Sequence, residues 1–308
     1  MVLTATVPEE IAKHGPPQIA TEIAIRKVTV SYPQSAGTRK TVLSNLDLDI
    51  KAGEFVVVLG ETGCGKSTLL RLVLGQEFPT SGSLEVDGKQ VTRIDARCGY
   101  VPQKYSLFPD RTMIQNVMYG PENAHAGWFG RLLPSFGRFR RNLNMEAEAQ
   151  LLRMGLRASD FNKYPHQLSG GMQQRVAIAQ ALMMKPPVLL MDEAFSALDP
   201  ATRASLQQQL REIWLESHPT ILFVTHNTSE ALLLGSRLIL LGQHRDDSKE
   251  SNVLLDMPLP PFADTIQHRK QSRDFQQLRD YVKNKAYGTG TASVEQALEE
   301  NYDRRETA

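Results

Sequence analysis

The sequence predicts an α/β fold in which a mixed sheet is joined by an antiparallel β subdomain, an inserted α-helical subdomain and a short helical C-terminal extension. Three observations carry that prediction. Continuous apolar runs at 55–59 (FVVVL), 188–191 and 220–225 read as strands covered on both faces, and helical stretches separate them, the order that builds a largely parallel sheet. Earlier in the chain, Leu46, Leu48 and Ile50 alternate with Asp47, Asp49 and Lys51, the pattern of a half-buried antiparallel strand. Residues 104–187, by contrast, are poor in strand signals and rich in helical ones, as an inserted helical subdomain would be.

Residues 1–20 hold Pro8, Pro16 and Pro17 without sustained periodicity and read as a flexible lead-in. The main domain is expected over 21–245. It opens on a strand at 23–30 and a Gly- and Pro-containing turn at 32–37. The buried strand 55–59 runs straight into Gly60, and 66–74 follows as a helix stopped by Gly75. Helices at 145–154 and 172–184 come next, the second ended by Pro186 and Pro187, and a further helix at 203–216 lies between the two later strands. Residues 246–308 are expected to form a linker and a helical extension. Residues 244–252 are charged and polar, and LDMPLPPF at 255–262 reads as a Pro-rich linker. Phe275, Leu278 and Val282 keep helical spacing within 264–285. Residues 288–293 read as loose, and Ser293 with Gln296 fits a capping box for a last short helix.

Lys plus Arg number 35 and Asp plus Glu 34, for a formal charge of +1, so no polybasic field points to nucleic acid and no acidic tail to a basic partner. The two cysteines, Cys64 and Cys98, fit a reducing compartment and no disulfide framework. No secretory leader is expected, because the N-terminus lacks a basic and then apolar pattern. No apolar run approaches the roughly 20 residues that span a bilayer. The longest, 231–241, is interrupted by Arg237. If the protein serves transport, the pore belongs to other chains.

GETGCGKS at 60–67 fits G-x-x-x-x-G-K-[ST] in full. Gly60, Gly63 and Gly65 let the loop, with Glu61, Thr62 and Cys64 between them, wrap a phosphate chain with its N–H groups inward. The helix that follows adds its positive end. Lys66 is placed to reach β- and γ-phosphates, Ser67 to ligate Mg²⁺, and Thr68 to contact the α-phosphate side. Residues 188–191 deliver Asp192 and Glu193 at the end of a second buried strand. Asp192 suits Mg²⁺, directly or through water, and Glu193 suits a general base that polarises an attacking water. Taken alone, the pair reads equally well as an acidic cap of the next helix.

LSGGMQQR at 168–175 lies shortly before Asp192, and with it the chain from about 21 to 243 resembles the nucleotide-binding subunits of ABC transporters, which have a P-loop NTPase core. The resemblance implies ATP and Mg²⁺ as ligands and a role for each matching residue. Tyr32, in VSYP, matches the aromatic that stacks on adenine; its plain alternative is a strand-end tyrosine. Gln103, in YVPQ, matches the glutamine that senses Mg²⁺ and the attacking water and links to the transmembrane partner. Ser169, Gly170 and Gly171 present a helix start to the γ-phosphate of an ATP held by another subunit. Asp199, in SALD, belongs to the loop that communicates across the dimer. His226, in VTH, matches the histidine on the γ-phosphate, although a lone histidine after a strand is more often structural. The implied partners are an identical or related ATPase subunit, integral-membrane permease subunits and an external solute-binding protein. The implied place is the cytoplasmic face of the inner membrane. YPHQLSGGMQQRVAIA at 164–179 and LLMDEAFSALD at 189–199 are similar to importer ATPases of the nitrate, sulfonate and taurine group. Ala194, Gln180 and Thr62 depart from the Pro, Arg and Ser common there, and none of the three removes a phosphate or metal ligand.

WFGRLLPSFGRFRR at 128–141 sets Arg131, Arg138, Arg140 and Arg141 among aromatics. It reads as a membrane-surface or permease-contacting element, or as a solvated loop, and Pro134 with two glycines favours the loop. Cys64 reads as small-residue packing or as a thiol-sensitive point in the loop. The C-terminal helix is expected to pack on its own domain, with a second subunit or a permease as the alternative. A soluble ABC ATPase of the coiled-coil repair type would need a long heptad insertion, and the translation type a duplicated motif set. A non-hydrolysing adaptor is opposed by the intact Lys66, Asp192, Glu193 and His226.

Overall fold

A six-stranded sheet forms the centre of the structure, a computed structural model that describes residues 21–34, 38–94, 97–104, 106–125, 134–196, 198–244, 250–260 and 272–287. Its order is β10 (Val253–Pro258), β9 (Arg237–Leu241), β3 (Phe55–Gly60), β8 (Thr220–Thr225), β7 (Val188–Asp192) and β6 (Cys98–Val101). The strands from β9 to β6 run parallel, and β10 pairs antiparallel with β9. The α/β class and the mixed sheet expected from the sequence are both found.

Every residue of β3, β7 and β8 is buried, and the two-residue period of a strand divides each between two cores. Phe55, Val57 and Leu59 enter one core with Leu189, Met191, Ile221 and Phe223. Val56 and Val58 enter the other with Val188, Leu190, Leu222 and Val224. Helix α1 (Lys66–Leu74) and the antiparallel sheet cover the second core. That sheet has the order β2 (Arg39–Lys51), β1 (Thr21–Pro33), β4 (Ser81–Val86), β5 (Lys89–Gln90). The first core takes in the helical subdomain, α2 (Met113–His125), α3 (Pro134–Arg153) and α4 (Gly170–Met183), and then α5 (Pro200–Ser217) and α6 (Thr228–Leu234). Burying a Val, Leu, Ile or Phe contributes about 1.5–3 kcal/mol over leaving it exposed. The C-terminal ends of these three strands are therefore rigid supports for the loops they carry.

Several expectations change. LDMPLPPF, read as a linker, supplies most of β10, whose residues alternate between half-buried and exposed. A proline is tolerated at its end because an edge strand needs no second ladder of bonds. The apolar run 231–241 is two elements, α6 and β9, divided at Gly235 and Ser236. Gly137 does not break a helix: α3 begins at Pro134, where a proline fits the first turn, and continues through Gly137 to Arg153. The earlier part of the arginine-rich stretch, 128–133, lies outside the described residues. Helix α7 (Arg273–Tyr287) buries Phe275, Leu278 and Val282 in the first core against α6 and β10, so the extension packs on its own domain. The expected start of that helix at 264, the loose stretch at 288–293 and the capping box at Ser293 fall outside the described residues.

Candidate functional site

The phosphate-loop motif occupies the turn from β3 into α1. Gly65 caps the helix at φ 105° with no side-chain bond, and no acidic residue lies in the first turn. The first-turn N–H groups thus have no anionic side chain of their own, the arrangement that receives a phosphate. Gly60 is required by closeness: a Cβ there would stand 2.5 Å from both Cys64 Sγ and the Leu241 carbonyl. Cys64 itself is buried, which pushes its thiol pKa up. It is a packing residue, not a poised nucleophile. The buried Lys66 ammonium donates to the carbonyls of Gly60 and Glu61, 2.9 Å each, which leaves one donor.

Asp192 ends β7 directly across from α1. Ser67 Oγ donates to Asp192 Oδ1 at 3.1 Å, so a hydroxyl and a carboxylate expected to share Mg²⁺ are already side by side. Two hard oxygens, one of them anionic, suit that ion. Among the described residues, no group of three or more His, Cys, Asp or Glu is placed to hold a metal ion by itself. Burial raises the Asp192 pKa, the Ser67 bond opposes it, and the neighbouring Glu193 charge raises it further. Glu193 stands at φ 43°, a left-handed turn rarely adopted by a glutamate, fixed by its N–H on the Val224 carbonyl at 3.0 Å. The turn places its carboxylate between two partners. Gln103 Nε2 donates to Oε2 at 3.1 Å, and His226 Nδ1 lies 3.1 Å from Oε1.

Gln103, Glu193 and His226 come from three strand ends and meet at one carboxylate. His226 is held by its own turn: Thr225 Oγ1 accepts the Asn227 N–H and donates to Glu230, a buried carboxylate that also accepts from Gln207 on α5. Tyr32 reaches the far end of the loop, where its hydroxyl donates to Glu77 and lies 3.4 Å from Thr68 Oγ1. Glu77 also takes Arg71 Nε at 2.7 Å. A cavity of about 520 Å³ beside Gly60, Glu61 and His226 reaches the hairpin residues Gly242 and Asn252.

Ser169, Gly170, Gly171 and Asp199 lie elsewhere. Together they line a second cleft of about 580 Å³ with Arg157 and Arg175, and none of its lining residues borders the first cavity. Ser169 caps α4, accepting the Met172 N–H at 3.3 Å, and Asp199 caps α5, accepting those of Ala201 and Thr202 at 3.1 and 3.0 Å. The sequence motifs treat these as separate elements, and the fold makes them one surface. Sequence reasoning missed Arg157, Glu230 and Asn252. Asn252 gave no signal at all, since it ends a polar stretch.

This arrangement defines the class: a P-loop NTPase in which a helical subdomain carries a second glycine-rich helix start away from the phosphate loop. The family model described as ABC transporter matches residues 43–196, and the chain belongs to that family. The bicarbonate transport ATP-binding protein CmpC of Synechococcus elongatus is 40% identical over 80% of this chain, and the chain spans about a third of it, 36% of its length. The aliphatic sulfonates import ATP-binding protein SsuB of Burkholderia ambifaria is 38% identical over 90% of this chain and 78% of its own length. Among solved structures, the dimeric post-hydrolysis state of the ATP-binding cassette MJ0796 bound to ADP and Pi matches with a TM-score of 0.64 and 30% identity. It covers 78% of this chain and all of the cassette.

Proposed function

We propose that this chain is the ATP-binding and ATP-hydrolysing subunit of an ABC importer for a small anionic solute. The carrying observation is the Glu193 carboxylate, held by Gln103 and His226 one residue after the Ser67–Asp192 pair. In this reading, Lys66 exchanges the Gly60 and Glu61 carbonyls for β- and γ-phosphate oxygens, and the N–H groups of the loop and of α1 take the rest. Mg²⁺, held by Ser67 and Asp192, would neutralise charge on the phosphates. Glu193 accepts a proton from water as the water attacks the γ-phosphorus in line and the bond to the ADP oxygen breaks. Gln103 orients the water and His226 contacts the departing phosphate.

Ser169, Gly170, Gly171 and Asp199 serve the ATP of a second subunit, identical or related, so two chains enclose two nucleotides. Release of phosphate parts them, and the Gln103 region passes that motion to permease subunits at the cytoplasmic face of the inner membrane. No helix among the described residues is long and apolar enough to cross a membrane, which fits a pore built from other chains. An external solute-binding protein would supply the solute. The names of the bicarbonate and sulfonate relatives support an anion. Glu193→Gln is the test: ATP affinity should persist while turnover falls by roughly 10²–10⁴-fold. Turnover at the unaltered rate would overturn the assignment.

A further inference from the structure

We infer that Asn252 is a positioning residue for the phosphate loop, which makes the β9–β10 hairpin part of the nucleotide site. The inference rests on the ATP-binding reading above. The two N–H groups of Asn252 Nδ2 are shared among the carbonyls of Val42 on β2 (3.2 Å), Cys64 in the loop (3.3 Å) and Gly242 after β9 (3.2 Å), while Oδ1 accepts the Ser44 N–H at 3.2 Å. The Gly242 N–H donates to the Asn252 carbonyl at 2.8 Å, so the main chain fixes the carboxamide from behind. Asn252 is only 5% exposed, and these polar groups would have no water in exchange if the bonds were lost.

The same segments meet independently of that side chain. A Cβ on Gly60 would stand 2.5 Å from the Leu241 carbonyl, and one on Gly65 2.6 Å from Leu43 Cδ2. One end of the loop therefore lies on β9 and the other on β2. Asn252 bonds the carbonyl between them. A trans peptide points its C=O and N–H in opposite directions. Holding the Cys64 carbonyl toward Asn252 thus turns the Gly65 N–H away from it, and that N–H is among the donors expected to face phosphate.

The test uses the full chain with Cys98→Ser, which leaves Cys64 as its one thiol. Two readouts are taken: the rate at which a small uncharged thiol reagent labels Cys64, and the Kd for ATP. Asn252→Ala removes the carboxamide. Asn252→Asp keeps its volume and the Ser44 bond but replaces the donor. Asp256→Asn disturbs only the far end of the hairpin, where Arg237 pairs with Asp256. Both Asn252 variants should raise the labelling rate and the Kd roughly tenfold, and Asp256→Asn should change neither. Unchanged labelling in the Asn252 variants, or an equal rise in Asp256→Asn, would overturn the inference. If the chain binds no ATP, the function reading fails while labelling still judges the tether. Should the Asn252 variants not fold, the Cys98→Ser chain decides. Cys64 labelling and exchange of the Gly242 amide should then share one dependence on dilute denaturant, and separate dependences would refute the coupling.

Discussion

The two clefts differ in what their polar groups already do. At the ends of β3, β6, β7 and β8, the groups bond to one another across elements distant in sequence: Ser67 to Asp192, Gln103 and His226 to Glu193. In the second cleft, Ser169 and Asp199 bond only to the first turns of the helices they cap. The phosphate-loop site holds the Lys66 ammonium and the carboxylates of Asp192 and Glu193. The second cleft holds helix ends, Arg157 and Arg175, and the carboxylates of Asp160 and Asp199, with no phosphate loop. A reaction that needs both is incomplete in one chain, and this gives physical content to the proposed second subunit.

The largest expected effect separates the clefts by what is lost. Lys66→Ala should weaken ATP binding by more than roughly 100-fold, because it removes the one cationic donor inside the phosphate loop. The melting temperature should hardly move, since Lys66 bonds only loop carbonyls. Ser169→Arg should keep ATP affinity in the isolated chain and lose turnover by roughly 100-fold or more, because it blocks the surface proposed to meet another subunit's nucleotide. Mixing the two inactive proteins should restore part of the turnover, since a mixed pair contains one intact composite site. No recovery on mixing, with both variants folded, would break the comparison.

The two clefts were not equally legible in the sequence. The motif 60–67 and the pair Asp192–Glu193 are local: each is a short string after a continuous apolar strand, and strand, turn and chemistry are read together. That His226 and Gln103 converge on Glu193 follows from strand order, which a single sequence does not contain; here the resemblance supplied their roles. The edge strand β10 was hidden by Pro258 and the prolines that follow it, β6 by its shortness and three half-exposed residues, and α2 by Gly120 and Pro121 within it. Asn252 was illegible for another reason. All its partners but Gly242 lie about 190 to 210 residues away, and nothing in a polar stretch marks one carboxamide as buried.

Glycine substitutions sharpen the contrast at a smaller scale. Gly60→Ala pushes a methyl against Cys64 Sγ and the Leu241 carbonyl, and backbone cannot yield cheaply. Denaturant unfolding should show a loss of about 1–3 kcal/mol. Gly171→Ala meets Thr202 Cγ2 at 3.5 Å and Leu198 Cδ2 at 3.6 Å, ordinary contacts in an open cleft. Its stability should stay level or rise slightly through helix propensity. Equal losses at the two positions would show that the second cleft is as tightly packed as the first.

The smallest effect concerns Asp199 and depends on pH. The Thr202 hydroxyl, and then the N–H groups of Thr202 and Ala201, hold its carboxyl below the ordinary 3.8. A lowered carboxylate pKa means that the unfolded chain binds the proton more readily, so the stabilisation is complete above the unfolded value and is lost as pH falls through the folded one. Asp199→Ala should therefore melt below the unaltered chain at neutral pH, with the gap closing as the solution is taken below 3.8. Asp199→Asn keeps a capping oxygen and should show little gap at neutral pH. A gap that persists in strong acid would mean that Asp199 supports α5 by packing and not by charge. The second cleft would then owe less to its electrostatics than the first.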